Sequence, residues 1–317
     1  LASITTPGNF QPELPLQAAQ ELLSTPRFNL IHSFPAELFY AEPNMGDTTR
    51  MSRLERLSTD GGYLDGSGLD PAPDVPIRTD IDARTEIYAK SIVVNEQCDL
   101  YNSMNVQAKY KILLGQWLRE KEDLLMRDLL SDNVAYQNAT GGVSSDNPTE
   151  ISRADVNNIE SLLLNGDAMT MMEMISGEDR FGTAPVRDAF VGLCSTQITN
   201  DLQNMAGWKN KADYGSQEGL KKEEYGSVGR FRFFVSSKGA SVENASADGA
   251  DMYRVTMCGM EGYAKLEQNG YGMKLGIIPN FAMSNVAQNY GMFAKFALAR
   301  AITNMNWVSG LNVTKRL

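Results

Sequence analysis

Residues 223–237 read EEYGSVGRFRFFVSS. The run is too short for a helix, and Phe231 to Val235 are the aromatic and branched side chains of a strand. Gly226 and Gly229 stand at its entrance, so the Glu-x-Gly-x-Val-Gly segment is expected to be a turn feeding an apolar strand.

The rest of the chain supplies few of the groups that catalysis uses. His32 is the single histidine, so Ser-His-Asp and Cys-His mechanisms require it as the base. It lies in the apolar stretch NLIHSFP and is expected to be a packing residue. Cys98, Cys194 and Cys258 are widely separated, with no CxxC and no zinc spacing, and are expected to be free, buried thiols of a reducing compartment. No GxxxxGK[ST], HExxH or GxSxG occurs, and GYGMKLG at 270–276 is not GxGxxG between a strand and a helix. The expectation is therefore no enzyme, with catalytic, cofactor-binding and metal-ligating residues all none.

Apolar residues make up 42% and charged residues 21% of the 317, which excludes wholesale disorder. A net charge of −10 argues against broad nucleic-acid binding, because KNK (209–211), KK (221–222) and KR (315–316) are short and scattered. Met-rich MTMMEMI (169–175) reads as adaptable packing surface. No apolar run reaches the ~20 residues that span a bilayer, and no signal-peptide pattern opens the chain at Leu1, where processing or trimming is expected to have removed an initiator Met.

Organisation along the chain is uneven. Residues 1–45 mix Pro, Thr and Gln with short apolar pieces and one helix candidate, LQAAQELL (16–23), as an extended arm needing other surfaces would. MGDTTRMSRLERL and IRTDIDARTEIYAKSIVV alternate polar with apolar around the Gly, Pro and Asp-rich DGGYLDGSGLDPAPDVP. That predicts a long hairpin over about 46–92 with little core of its own. Asp60, Asp65, Asp70 and Asp74 at its tip lack the calcium-loop spacing and are expected to be solvated.

SMNVQAKYKILLGQWLREKEDLLMRDLLS (103–131) has the three-four apolar spacing of a long helix, with Asp123 and Arg127 expected to pair on its outer face. At about 43 Å it exceeds what one core covers, so it is expected to run along an edge. NATGGVSSDNPT (138–149) reads as a boundary loop, TEISRADVNNIESLLLNG as a capped helix, 185–195 as a buried strand, and 196–205 as a helix. Beyond these, 252–266 reads as strand and turn, and 286–305 as extended at first and helical at its end. A strand in NWVSGLNVTKRL closes the chain. The order is α+β without a repeating βαβ unit.

In this order the chain resembles the major capsid proteins of tailed bacteriophages, in the branch typified by the coliphage N-four shell protein, with the Hong Kong 97-type fold. EEYGSVGRFRFFVSS resembles the branch's acidic-Gly-x-(Ile/Val)-Gly turn and strand. PVRDAFVGLCSTQITNDL resembles the strand and helix before it, with Cys194-Ser195 where His-Pro is common. QNYGMFAKFALARAITNMNWVSGLNV resembles the closing segment. The likeness spans most of 46–317.

The resemblance implies an N-terminal arm (1–45) across neighbouring subunits and an extended-loop hairpin (46–92) over an adjacent copy. It further implies a peripheral domain with a spine helix (93–149), an axial domain (150–288) and a C-terminal return to the peripheral domain (289–317). It implies many copies of the chain as pentamers and hexamers, assembled in the bacterial host cytoplasm into a virion capsid around double-stranded DNA bound without sequence specificity. Portal and scaffold or decoration proteins are the further partners, and no membrane is involved. An encapsulin-like compartment shell is the alternative within the fold, and an uncharacterised enzyme the alternative outside it. Arg50, Arg53, Glu55 and Arg56 alternate with apolar positions in the hairpin and are the candidates for ion pairs between copies.

Overall fold

The computed structural model describes residues 27–42, 46–57, 59, 74–101, 106–140, 148–171, 189–214, 223–246, 249–268, 272–278 and 289–315. The helix candidate at 16–23, the tip aspartates 60, 65 and 70, and most of the Met-rich run lie outside these residues.

Along the chain run β1 (Glu37–Ala41), β2 (Thr48–Leu54), β3 (Arg78–Arg84), β4 (Glu86–Asn95), α1 (Glu96–Tyr101), α2 (Val106–Asn133) and β5 (Tyr136–Asn138). There follow α3 (Arg153–Asn165), β6 (Phe190–Ser195), α4 (Thr199–Asn204), β7 (Lys209–Asn210), β8 (Glu224–Val228), β9 (Phe231–Ser236) and β10 (Ser241–Val242). The last are β11 (Met252–Cys258), β12 (Tyr263–Gln268), β13 (Lys274–Ile278), β14 (Asn289–Ile302) and β15 (Val308–Thr314). The result is a mixed α+β fold with few helices and many strands.

Three sheets form. One joins β1, β12, β14 and β13 in that order, with β4 also on β14; a larger one runs β5-β15-β11-β6-β9-β8-β7 with β10 on β11; β2 and β3 pair with each other. All six residues of β9 are buried, as are all six of its parallel partner β6. Both faces of that pair are covered. Phe231 and Phe233 pack with Ile159 and Leu163 of α3, while Phe234 and Val191 face Met126 and Leu130 of α2. A strand covered twice loses the period-two alternation and reads as a continuous apolar run, which is how FRFFV reads.

The opening segment differs from expectation in one respect. Glu224–Val228 is itself a strand, antiparallel to β9 with an irregularity between Glu224 and Gly226. The turn shrinks to Gly229 and Arg230, and Gly229 takes a φ of +57°, a conformation that favours glycine.

The length of α2 has a direct cause. Its Leu114, Leu118 and Leu125 pack on Met292, Ala294, Phe296 and Leu298 of β14, and its Met126 and Leu130 pack on the larger sheet. One helix of 28 residues, about 42 Å, thus serves two cores. The expected surface pair Asp123–Arg127 does not form. Asp123 faces inward and is buried, and Arg127 instead meets Asp128 at 2.6 Å and donates to the Lys238 carbonyl.

Two further segments depart from the sequence reading. The stretch expected to end as a helix is one 14-residue strand, β14. Its alanines favour helix locally, but β4 on one side and β13 and β12 on the other take its backbone hydrogen bonds. The second arm of the hairpin divides at Thr85, with Arg78–Arg84 pairing β2 and Glu86–Asn95 leaving to pair β14. β12 and β13 lie in the sheet of β14, and β15 lies in the larger sheet. The capped helix is as expected: Ser152 and Asp155 form a reciprocal capping box at the start of α3.

Candidate assembly surfaces

The β2–β3 hairpin has two chemically distinct faces. Met51, Ile81 and Ala83 point inward onto Leu266, Ala299 and Ala301 of the smaller sheet. The outward face is a ladder of opposite charges set by the register that places Arg50 opposite Asp82. Arg50 donates through Nε and Nη2 to the two Asp82 oxygens at 2.7 and 2.9 Å. Arg78 donates to Asp80 and to the Ser52 hydroxyl, each at 2.6 Å, and Arg84 donates to Asp47 at 2.9 Å.

These partners hold the carboxyls below the usual carboxylate range. For Asp47 the Thr48 hydroxyl acts first and Arg84 next; for Asp80, Ser52 and then Arg78; for Asp82, the Arg50 hydrogen bond. Arg50 is in turn held more firmly charged, chiefly by Asp82. All three carboxyls are exposed, so water and salt screen the pairs.

The four hairpin residues singled out in the sequence all find partners within the chain. Arg50 belongs to the ladder. Arg53 donates to Glu55 at 3.0 Å and to the Thr303 carbonyl at 3.1 Å, tying the hairpin to the end of β14. Glu55 also accepts from Thr79 at 2.6 Å, and that hydroxyl is the main cause of its lowered pKa, ahead of Arg53. Arg56 reaches Asp167 at 3.1 Å, with both side chains about three-quarters exposed. Asp47, Arg78, Asp80, Asp82 and Arg84 were missed as partners. Their alternation was visible, but the register that matches Arg50 with Asp82 was not.

Beyond the ladder the hairpin turns apolar. Leu54, Leu57, Val75 and Ile77 are 72, 56, 75 and 67% exposed. Ile87 on β4, Ile112 on α2 and Leu275 on β13 are further large apolar side chains facing solvent. Single exposed apolar residues are ordinary, but four at one end of a hairpin form a patch suited to contact with another surface.

Reactive groups are packed away. Burial pushes the Cys194 and Cys258 thiols well up, and neither forms a disulfide. Nothing is described of the Cys98 side chain. His32 is buried against Asp123. Among the described residues no cluster of three His, Cys, Asp or Glu is arranged to hold a metal ion, and no helix is long and apolar enough to cross a membrane. An open cavity of about 220 Å³ lies beside Ser152, Arg153 and Asp201, and another of about 330 Å³ beside Tyr40, Thr49 and Gln268; neither His nor Cys is among the described residues that line them.

No protein-family model and no curated protein sequence matches the chain. Solved structures do match its fold. The chain is similar to the capsid of Ralstonia phage GP4 over 99% of each chain, with a TM-score of 0.70 at 13% identity. It is similar to the acid-stable capsid of Helicobacter pylori bacteriophage KHP30 over 96% of this chain and 97% of that one, with a TM-score of 0.65 at 10% identity. For the cyanophage Pam1 capsid asymmetric unit the figures are 95% and 96%, with a TM-score of 0.62 at 12% identity. At such identities the likeness is one of fold.

Proposed function

We propose that the chain is the major capsid protein of a tailed bacteriophage, with the Hong Kong 97-type fold in the branch of the coliphage N-four shell protein. In this reading many copies assemble as pentamers and hexamers into an icosahedral head around double-stranded DNA. One observation carries it. The likeness to a phage capsid runs over 99% of both chains, so it takes in the hairpin and long helix as well as the sheets.

The physics of the surface supports the same role. A hairpin that buries one face on its own sheet and carries four exposed apolar side chains before its tip gains by contacting a further surface. In a shell every subunit supplies that contact to another copy, and modest contacts add up through their number. The net charge of −10 suits an inner wall that leaves packaged DNA loosely held. Arg50, Arg53, Glu55 and Arg56 are then residues at or near contacts between copies, in addition to their partners within the chain.

Negative-stain electron microscopy of the purified protein tests the reading. Closed particles of uniform diameter are expected. A discrete monomer or dimer at every concentration, with a measurable turnover, overturns it in favour of an enzyme; particles that recover protein cargo and no genome from the host point to a compartment shell. Reversing Arg53 and Arg56 to Glu together is expected to lower particle yield more than it lowers the melting temperature of the subunit.

A further inference from the structure

Polar side chains fill the corner at which the chain leaves α2 and enters the larger sheet as β5. Arg254 of β11 reaches the end of α2, where its Nη1 donates to the Ser131 carbonyl and to the Ser131 hydroxyl, each at 2.6 Å. Its guanidinium lies over the Tyr136 ring of β5, 5.0 Å from the centroid. Asn312 of β15 stands directly opposite Arg254 in the antiparallel register, so the two side chains rise from the same face of the sheet. Asn312 Nδ2 donates to Oδ1 of Asn138, its parallel partner on β5, at 3.0 Å. The Tyr136 hydroxyl is bonded to that of Thr256 at 2.7 Å.

Two atoms of this corner are left over. Arg254 Nε and Asn312 Oδ1 are both buried, and neither has a hydrogen-bond partner among the described residues. One is a donor and the other an acceptor. They stand on opposed residues, yet they do not bond to each other. Single buried polar atoms are uncommon, because each forfeits the bond that water gave it in the unfolded chain.

We propose that one water molecule is held between Arg254 and Asn312, accepting from Nε–H and donating to Oδ1. The pairing of a donor with an acceptor selects it. An anion suited to the guanidinium would meet the amide oxygen, and a cation suited to the amide oxygen would meet the guanidinium charge. Water accepts and donates at once, and two polar partners suffice to hold it. Neither atom is open to solvent, so a larger hydroxyl compound does not reach them. The water completes a chain from Ser131 through Arg254, Asn312 and Asn138 that joins α2, β11, β15 and β5. β5 has only three residues and follows α2 after Val134 and Ala135, so this chain fixes a corner that the short strand holds weakly by itself. The site lies within one subunit and does not depend on the shell reading.

A density map of the purified protein, from crystals or from electron cryo-microscopy, at a resolution that shows ordered solvent, tests the site. A single peak about 3 Å from both Arg254 Nε and Asn312 Oδ1 is expected. No peak there, or the two side chains in direct contact, overturns the proposal. Asn312→Leu removes Oδ1 and is expected to abolish the peak while Arg254 keeps its bonds to Ser131. A peak that survives the change is not shared by the two residues and overturns the bridge. Denaturant unfolding gives a reading that needs no map. Residues joined through one water are coupled, so the double variant Arg254→Met with Asn312→Leu is expected to raise the unfolding equilibrium constant by a factor more than about twofold smaller than the product of the two single factors. Factors that simply multiply overturn the shared site.

Discussion

The ring of Phe233 lies across Gly192, its register partner in the neighbouring parallel strand, so that a Cβ built on Gly192 would stand 2.7 Å from the ring. The relationship recurs. Tyr136 covers Gly310, its partner between β5 and β15, and Phe293 covers Gly276, its partner between β14 and β13. In each pair the glycine leaves the space that the aromatic side chain fills, so the two residues act as one packing unit at three places in two sheets.

Gly192→Ala is therefore expected to destabilise the subunit. The added methyl meets a ring locked between Trp208 and Phe231, and overpacking a filled core costs about 1–3 kcal/mol. The stiffer unfolded chain returns about 0.4–1 kcal/mol, leaving a net loss of about 1–2 kcal/mol. Denaturant unfolding checks it, and Gly192→Ala combined with Phe233→Leu is expected to recover part of the loss, which an effect of backbone conformation alone would not show.

A second prediction concerns Arg232 and Glu224, which meet at 3.5 Å with side chains 5% and 0% exposed. Removing one member takes the opposite charge away from a buried group, so Arg232→Ala or Glu224→Ala is expected to cost about 3–5 kcal/mol. Replacing both with apolar residues of similar volume, Arg232→Met with Glu224→Leu, is expected to cost far less than either single change. A double-mutant cycle by denaturant unfolding measures the difference.

What the sequence disclosed follows from how locally each feature is determined. FRFFV, the capping box at Ser152 and the alternation of 48–54 and 78–84 are set by residues within one element, and the structure has them. Arg232, buried in the middle of FRFFV, gave no sign of its partner, because Glu224 is reached only through the β8–β9 turn. The Ala-rich end of β14 misled because helix propensity is a local quantity and strand pairing on both sides is not. Asp123 looked like half of a surface pair with Arg127, because helical spacing shows which residues share a face and says nothing of a distant segment laid over it. The assembly candidates in the hairpin were legible as alternating charge, but pairing them with Asp80, Asp82 and Thr303 required the register.

The charge ladder makes the hairpin sensitive to acid. Asp47, Glu55, Asp80 and Asp82 all have folded-state pKa values below their ordinary ones. Their contribution to stability is therefore fully present above the unfolded values, about 3.9 for Asp and 4.3 for Glu, and is lost as pH falls through the lower folded values. Hydrogen exchange of the β2 and β3 amides, corrected for intrinsic rates, is expected to lose protection below about pH 4, while β6 and β9 stay protected. Salt is expected to diminish the contrast at neutral pH because the ladder is exposed. A hairpin that exchanges no faster relative to β9 in acid than at neutral pH excludes a role for the ladder.

The apolar end of the hairpin separates folding from assembly. Leu54, Leu57, Val75 and Ile77 are each more than half exposed, so changing Leu57 and Ile77 to Ser removes little that folding buries and is expected to move subunit stability by no more than about 0.5 kcal/mol per site. If another copy covers these side chains in a shell, each loses an apolar contact repeated in every subunit, at about 25 cal/mol per Å² of area covered. Multiplied over the contacts of a closed particle, even a modest local loss shifts the concentration at which shells appear. The expected outcome is a subunit with unchanged thermal unfolding whose particles form only at higher protein concentration, read by sedimentation and electron microscopy side by side. Particles that form at the wild-type concentration mean that these four residues stay exposed to water in the shell, and the contact between copies must then be sought on β4 and β13, where Ile87 and Leu275 face solvent.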